Sequence, residues 1–201
     1  MLLSIVNGRL IKNELTVNDA IKFIQEMVNQ HNILRQNHNV SDLVLNPDLV
    51  QLAQNEADKY ADNGVMDSQI VKYKNTGLGK NSAIYAGPAG YSGIQPTNLW
   101  YQKSQKFNYA SNSIQDSGTF TQVVWKNSKE IGVGVTKKDN KFYIVALYNP
   151  PGNILGTVTQ NVLPPLNPSK PTSSSTEGLE NLDRSDLIKK IKDLLTALEN
   201  N

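Results

Sequence analysis

A chain of 201 residues, 38% hydrophobic and 19% charged, has enough apolar material for one core and is too short for two full-sized domains. It contains no cysteine, which excludes disulfide scaffolds, zinc ribbons, thiol nucleophiles and redox motifs together. Its 20 basic residues are scattered among 18 acidic ones, so there is no electrostatic footprint for nucleic acid.

At the start, Leu2, Leu3, Ile5 and Val6 before Asn7-Gly8-Arg9 make too short an apolar run for a secretory signal, and Leu2 excludes N-myristoylation. No run approaches the roughly 20 apolar residues that span a bilayer. These signals predict an intracellular protein, cytoplasmic or peripheral on membranes, with non-classical secretion left open. Residues 1–18 read as an N-terminal extension. From Asp19, apolar residues at Ala20, Ile21, Phe23, Ile24, Met27, Val28, Ile33 and Leu34 follow a helical period, with Asn18 or Asp19 placed to cap it. Asn46-Pro47-Asp48 then restarts the chain into a second helix, which carries Leu49, Leu52, Ala53, Ala57, Tyr60 and Ala61 and ends at Asn63-Gly64.

The stretch 65–96 is glycine-rich and aperiodic and reads as irregular surface. A short helix is predicted around Thr97 to Lys106. Ile131, Val133 and Val135 alternate with glycine, and Lys138-Asp139-Asn140 supplies a turn into Lys141–Tyr148, so a β-hairpin is expected, closed off by Asn149-Pro150-Pro151-Gly152-Asn153. Helices preceding strands favour an α+β fold.

After the core, 158–178 is a Pro/Ser-rich linker, and 179–201 an amphipathic helix. In that helix Leu187, Ile191, Leu194 and Leu198 follow the 4-3-4 spacing of a coiled-coil seam, widened by Ile188 and Leu195. From 158 onward five basic and six acidic residues nearly cancel, unlike a basic membrane helix. Two heptads are marginal alone, so the stripe must be covered. The long linker favours self-association or a protein partner over packing on the chain's own domain.

Few groups here can carry chemistry. His31 and His38 are the two histidines; on one continuous helix they stand roughly 10 Å apart, too far to share a metal ion, and read as making local hydrogen bonds. Gly77-Leu78-Gly79-Lys80 resembles part of a phosphate loop, but Lys74 stands where the first glycine belongs and Asn81 replaces the hydroxyl residue. Glu56, Asp58 and Asp62, with Lys59 nearby, read as a solvated helix face.

Taken in order, His31-Asn32-Ile33-Leu34-Arg35, Leu45-Asn46-Pro47-Asp48-Leu49, Gly79-Lys80-Asn81-Ser82-Ala83, Trp100-Tyr101, Gly118-Thr119-Phe120-Thr121-Gln122-Val123-Val124-Trp125 and Tyr148-Asn149-Pro150-Pro151-Gly152-Asn153 closely resemble the CAP superfamily of cysteine-rich secretory, antigen 5 and pathogenesis-related proteins. The likeness spans 19–157, and the cysteine-free form is most similar to the Golgi-associated branch. It implies a three-layer α-β-α sandwich with a central antiparallel sheet. It also implies a cleft in which two histidines and two glutamates hold a divalent cation.

This chain departs from that ligand set at all four positions: Asp67 and Thr119 stand for the histidines, Lys80 and Lys103 for the glutamates. The formal charge there moves from negative to about +1, so no metal and no cofactor is expected. The reading that follows is a non-enzymatic module binding an anionic lipid, a sterol, a fatty acid or a protein partner. A structural or adaptor role through the surface and tail comes second. A hydrolase using Ser68, Ser82 or Thr119 comes last, because a serine without a base is a weak nucleophile.

Overall fold

The computed structural model describes residues 2–6, 9–86, 92–166 and 184–199. Its elements in chain order are β1 (Leu2–Val6), β2 (Arg9–Asn13), α1 (Val17–Asn37), β3 (Val44–Leu45), α2 (Pro47–Asn63), β4 (Lys72–Tyr73), β5 (Thr76–Gly77), β6 (Gly79–Ala86), α3 (Ile94–Tyr101), a 3₁₀ turn (Gln102–Lys106), α4 (Gly118–Val123), β7 (Glu130–Lys138), β8 (Lys141–Asn149), α5 (Val158–Asn161) and α6 (Arg184–Glu199).

Local chemistry sets the main boundaries. α1 begins two residues before its predicted start because Thr16 Oγ1 accepts from the Asp19 amide. α2 starts where Asn46 accepts from the amides of Asp48 and Leu49, with Pro47 in its first turn, and stops at Gly64 in the left-handed region, φ 72°. The β7–β8 hairpin turns through Asp139 and Asn140, whose φ of 51° and 58° suit a tight turn matched to strand twist.

The central sheet runs β3-β7-β8-β6. The pairs β7–β8 and β8–β6 are antiparallel, but Val44 and Leu45 pair parallel to Glu130 and Ile131. The sheet is therefore mixed, not wholly antiparallel, because the chain enters β3 from α1 rather than from a hairpin.

Strand alternation builds a core on each face. Ile131, Val133, Val135, Ile144, Ala146 and Tyr148 pack with α1, α3 and α4. Tyr143, Val145 and Leu147 pack with Leu49, Ala53, Ala57 and Tyr60 of α2. Gly132 and Gly134 face α2 so closely that a Cβ would fall 2.1 Å from the Leu49 carbonyl carbon and 2.3 Å from that of Ala53. Trp125, Val123, Ile131, Val133, Val145 and Tyr148 are all buried, as expected.

Arg35 ties α1 to the segment after α4. Its buried guanidinium donates to the carbonyls of Ser41, Val123, Trp125 and Ser128 at 2.8–3.0 Å. Burial lowers its pKa to about 10, against the opposing influence of Tyr148 and Asp42.

Four stretches differ from the sequence reading. The end of the expected N-terminal extension is joined to the domain: Asn13 donates to Val135 O and accepts from the Lys137 amide, prolonging the sheet edge. The stretch 65–96 holds the β4–β5 hairpin and the eight-residue β6. The start of the expected linker is also core, since Val158 and Val162 are buried and the Leu166 amide donates to Asn37 O; 167–178 lies outside the described residues.

The fourth difference is the tail. α6 packs against α1, α2 and β1 of its own chain, and Ile191 and Leu195 are fully buried in the α1-side core with Ile188 against them. This corrects the expectation that the linker holds the helix away. Leu194 is half-buried, and the side chains of Leu187 and Leu198 lie outside the described residues.

Candidate functional site

β6 is the edge strand that carries the middle of the expected cleft, and its neighbouring residues face opposite ways. Asn81 points to the α4 side, where its amide donates to Thr119 O at 2.9 Å and to the Tyr148 hydroxyl at 3.3 Å. Lys80 points to the α2 side. There its Nζ donates to the Tyr60 hydroxyl and Gln69 O, each at 2.8 Å, and lies 3.4 Å from Glu56 Oε2, Asp67 Oδ1 and Asp67 O.

Asp67 sits in the loop after α2, and its other oxygen meets Lys59 Nζ at 2.6 Å. Lys59 also lies 3.7 Å from Glu56 Oε1. The four charges form a closed, alternating and formally neutral ring: Lys59, Asp67, Lys80, Glu56. The Lys59 hydrogen bond, aided by the Gln69 amide and both ammonium charges against slight desolvation, holds the Asp67 carboxyl down to about 2. Burial would lower the Lys80 pKa, but its bond to Tyr60 and the charges of Glu56 and Asp67 raise it on balance.

The other two expected positions lie across β6. Thr119, in the first turn of α4, directs its hydroxyl to Trp100 O at 3.5 Å. Lys103, in the 3₁₀ turn, is exposed, and its carbonyl accepts from Ser117 at 3.4 Å. Among the described residues no ion pair or side-chain hydrogen bond joins Lys103 or the Thr119 hydroxyl to the Lys80–Asp67 pair. The structure thus brings Asp67 together with Lys80, and places Thr119 and Lys103 beside α3.

These residues do not fit a divalent cation. The two carboxylates near Lys80 each face two ammonium groups, and zinc requires imidazole, thiolate or free carboxylate donors. Among the described residues no group of three or more His, Cys, Asp or Glu side chains is placed to hold a metal.

Sequence reading missed the parts that complete the ring. Glu56 and Lys59 form a visible i, i+3 pair, but they are partly buried beneath the loop rather than solvated. Asp58 is buried too, accepting from Thr136 and Gln54. Nothing in α2 signals that Tyr60 and the Gln69 carbonyl would meet Lys80.

Both histidines are structural. His31 Nδ1–H donates to Met27 O at 2.8 Å while Nε2 accepts from the Tyr148 hydroxyl at 2.8 Å. The carbonyl can only accept, which sets this tautomer. Burial pushes the His31 pKa down to about 4, with the Met27 bond opposing and Arg35 assisting. His38 spans Leu163 O and the Tyr101 hydroxyl inside an aromatic cluster with Tyr109 and Phe120, and burial lowers its pKa too.

Residues 28–148 match the model of the cysteine-rich secretory protein family, CAP. The chain is 31% identical to human Golgi-associated plant pathogenesis-related protein 1 over 150 residues, covering 72% of this chain and 94% of that one. It is 32% identical to Secreted protein RBT4 of Candida albicans over 162 residues, 72% of this chain but 41% of the relative's length. In structure it is similar to NaASP2, solved with Zn²⁺, at TM-score 0.51 and 18% identity, covering 67% of this chain and 83% of that one.

Proposed function

Because the chain belongs to the CAP, or cysteine-rich secretory protein, family, we propose that it is a non-enzymatic binding module whose ligand is a lipid, with the family's cation cleft replaced by internal ion pairs. The observation that carries this reading is the commitment of both histidines. Each ring nitrogen already has a hydrogen-bond partner within the fold, so neither imidazole is available as a base for Ser68, Ser82 or Thr119.

The surface supports a lipid as ligand. Val65, Met66 and Ile70 are exposed on the loop around Asp67, and Lys72 and Lys74 are exposed on the β4–β5 hairpin that follows it. Apolar tips beside exposed lysines suit an anionic membrane surface. Freedom from cysteine supports an intracellular setting, and among the described residues no helix is long and apolar enough to cross a membrane. An adaptor role through the tail is less well supported, since Ile191 and Leu195 are already in the core.

Co-sedimentation with phosphatidylcholine vesicles, alone and with phosphatidylserine or sterol, tests the proposal. Binding to the anionic vesicles is expected, weakened by salt, by Lys72→Glu with Lys74→Glu and by replacing Val65, Met66 and Ile70 with serine. Failure to bind any vesicle, together with failure to bind a fatty acid or sterol in solution, overturns it.

A further inference from the structure

Five oxygen atoms surround one partly buried nitrogen. Around Lys80 Nζ lie the Tyr60 hydroxyl and Gln69 O at 2.8 Å, and Glu56 Oε2, Asp67 Oδ1 and Asp67 O at 3.4 Å. The side chain is 13% exposed. An ammonium has three protons, so this shell exceeds what three simple hydrogen bonds require; it is the oxygen-rich environment of a bound cation.

The oxygens come from separate places. Glu56 and Tyr60 belong to α2, Asp67 and Gln69 to the loop that follows, and Lys80 arrives from β6, 24 residues beyond Glu56. The Tyr60 hydroxyl also donates to Asp67 O at 3.1 Å. The loop carbonyls thus converge on the nitrogen, leaving Val65, Met66 and Ile70 outward.

We propose that the Lys80 ammonium is an internal, covalently attached cation that organises the 64–71 loop, doing by itself what a bound metal ion would otherwise do at this place. The loop is then held in one conformation without any external ligand, and its order is indifferent to divalent cations and chelators. Lys80 is a positioning residue: it acts on whatever the loop touches by fixing where Val65, Met66 and Ile70 stand. This holds whether or not that ligand is a lipid.

The test is hydrogen exchange of the full chain at neutral pH. The reporter is the Gln69 amide, which donates to Asp67 Oδ1 at 3.0 Å. Wild type, Lys80→Ala and Lys80→Arg are each compared in EDTA, in millimolar Ca²⁺ and in n-propylammonium, which replaces the atoms removed by Lys80→Ala.

Wild-type protection is expected to be the same in all three solutions. Lys80→Ala should exchange at least ~10-fold faster at Gln69, and Ca²⁺ or propylammonium should restore part of the protection. Lys80→Arg keeps a cation and should stay closer to wild type. Should Lys80→Ala fail to fold, Tyr60→Phe removes one oxygen of the shell and should speed loop exchange while the β7–β8 amides remain protected. A wild-type loop that loosens in EDTA overturns the proposal. So does a Lys80→Ala loop that keeps its protection, or one whose loss neither cation reverses, or a Tyr60→Phe loop that exchanges like wild type.

Discussion

His31 gives the most direct test of the buried polar network. In the fold its pKa lies at about 4, driven down mainly by burial, against about 6.5 in an unfolded chain. Protonation would force Nε2–H against the Tyr148 hydroxyl, which already donates to that nitrogen and receives the Asn81 amide. Because the folded value is the lower one, the unfolded chain binds the extra proton first. The stabilisation is complete above about pH 6.5 and is lost as pH falls toward about 4. Between pH 7 and pH 5 the linkage amounts to about 2 kcal/mol, and His38, lowered in the same direction, adds to it. Urea unfolding followed by the fluorescence of the buried Trp100 and Trp125 measures this at pH 7, 6 and 5. His31→Gln is less stable at every pH but flatter, so the gap between variant and wild type narrows by about 2 kcal/mol toward pH 5. Parallel pH profiles for the two proteins would refute a neutral, buried His31.

Two further outcomes follow from packing. Gly134→Ala places a methyl group within 2.3 Å of the Ala53 backbone; it should cost at least about 1–3 kcal/mol in urea, and an unchanged midpoint would mean that α2 can move off β7. Ile191→Ala with Leu195→Ala, or deletion of 179–201, should lower the melting temperature of the whole domain, each alanine costing about 2–5 kcal/mol; a domain that melts unchanged would return the tail to a partner-binding role.

How far the sequence reaches depends on whether a feature is local. α1 and α2 announce themselves through period and caps, and the hairpin through alternation and the Asp139-Asn140 turn. β6 does not, because it is an edge strand carrying Lys80, Asn81 and Ser82 in succession and most of its residues are half-covered; no face of it is apolar enough to set a period of two. The same strand decides the site. Alternation sends Lys80 to the α2 side with Asp67 and Asn81 to the α4 side, where it donates to Thr119 O, so of four positions aligned by motif only Lys80 and Asp67 meet through an ion pair among the described residues. The partners of His31 and Lys80 lie 117 and up to 24 residues away, and only the closed fold brings them together.

The tail shows a different kind of misreading, in which the signal was present and was given the wrong meaning. Leu187, Ile191, Leu194 and Leu198 make a narrow seam, the width that one partner helix covers. Ile188 and Leu195 extend it to one side, and a broader apolar stripe is the mark of a helix lying on a globular core. At about 100° per residue, Ile188, Ile191 and Leu195 share an arc whose centre is rotated about 60° from the centre of that seam. Among the described side chains it is this rotated arc that is covered: Ile191 and Leu195 are sealed and Ile188 lies against them, while Leu194 is left at the margin. The helix meets α1, α2 and β1 of its own chain, more than the single partner helix a seam is built for, and Ile188, Ile191 and Leu195 all enter the α1-side core. The widening residues, rather than the heptad, therefore held the information about what covers the helix.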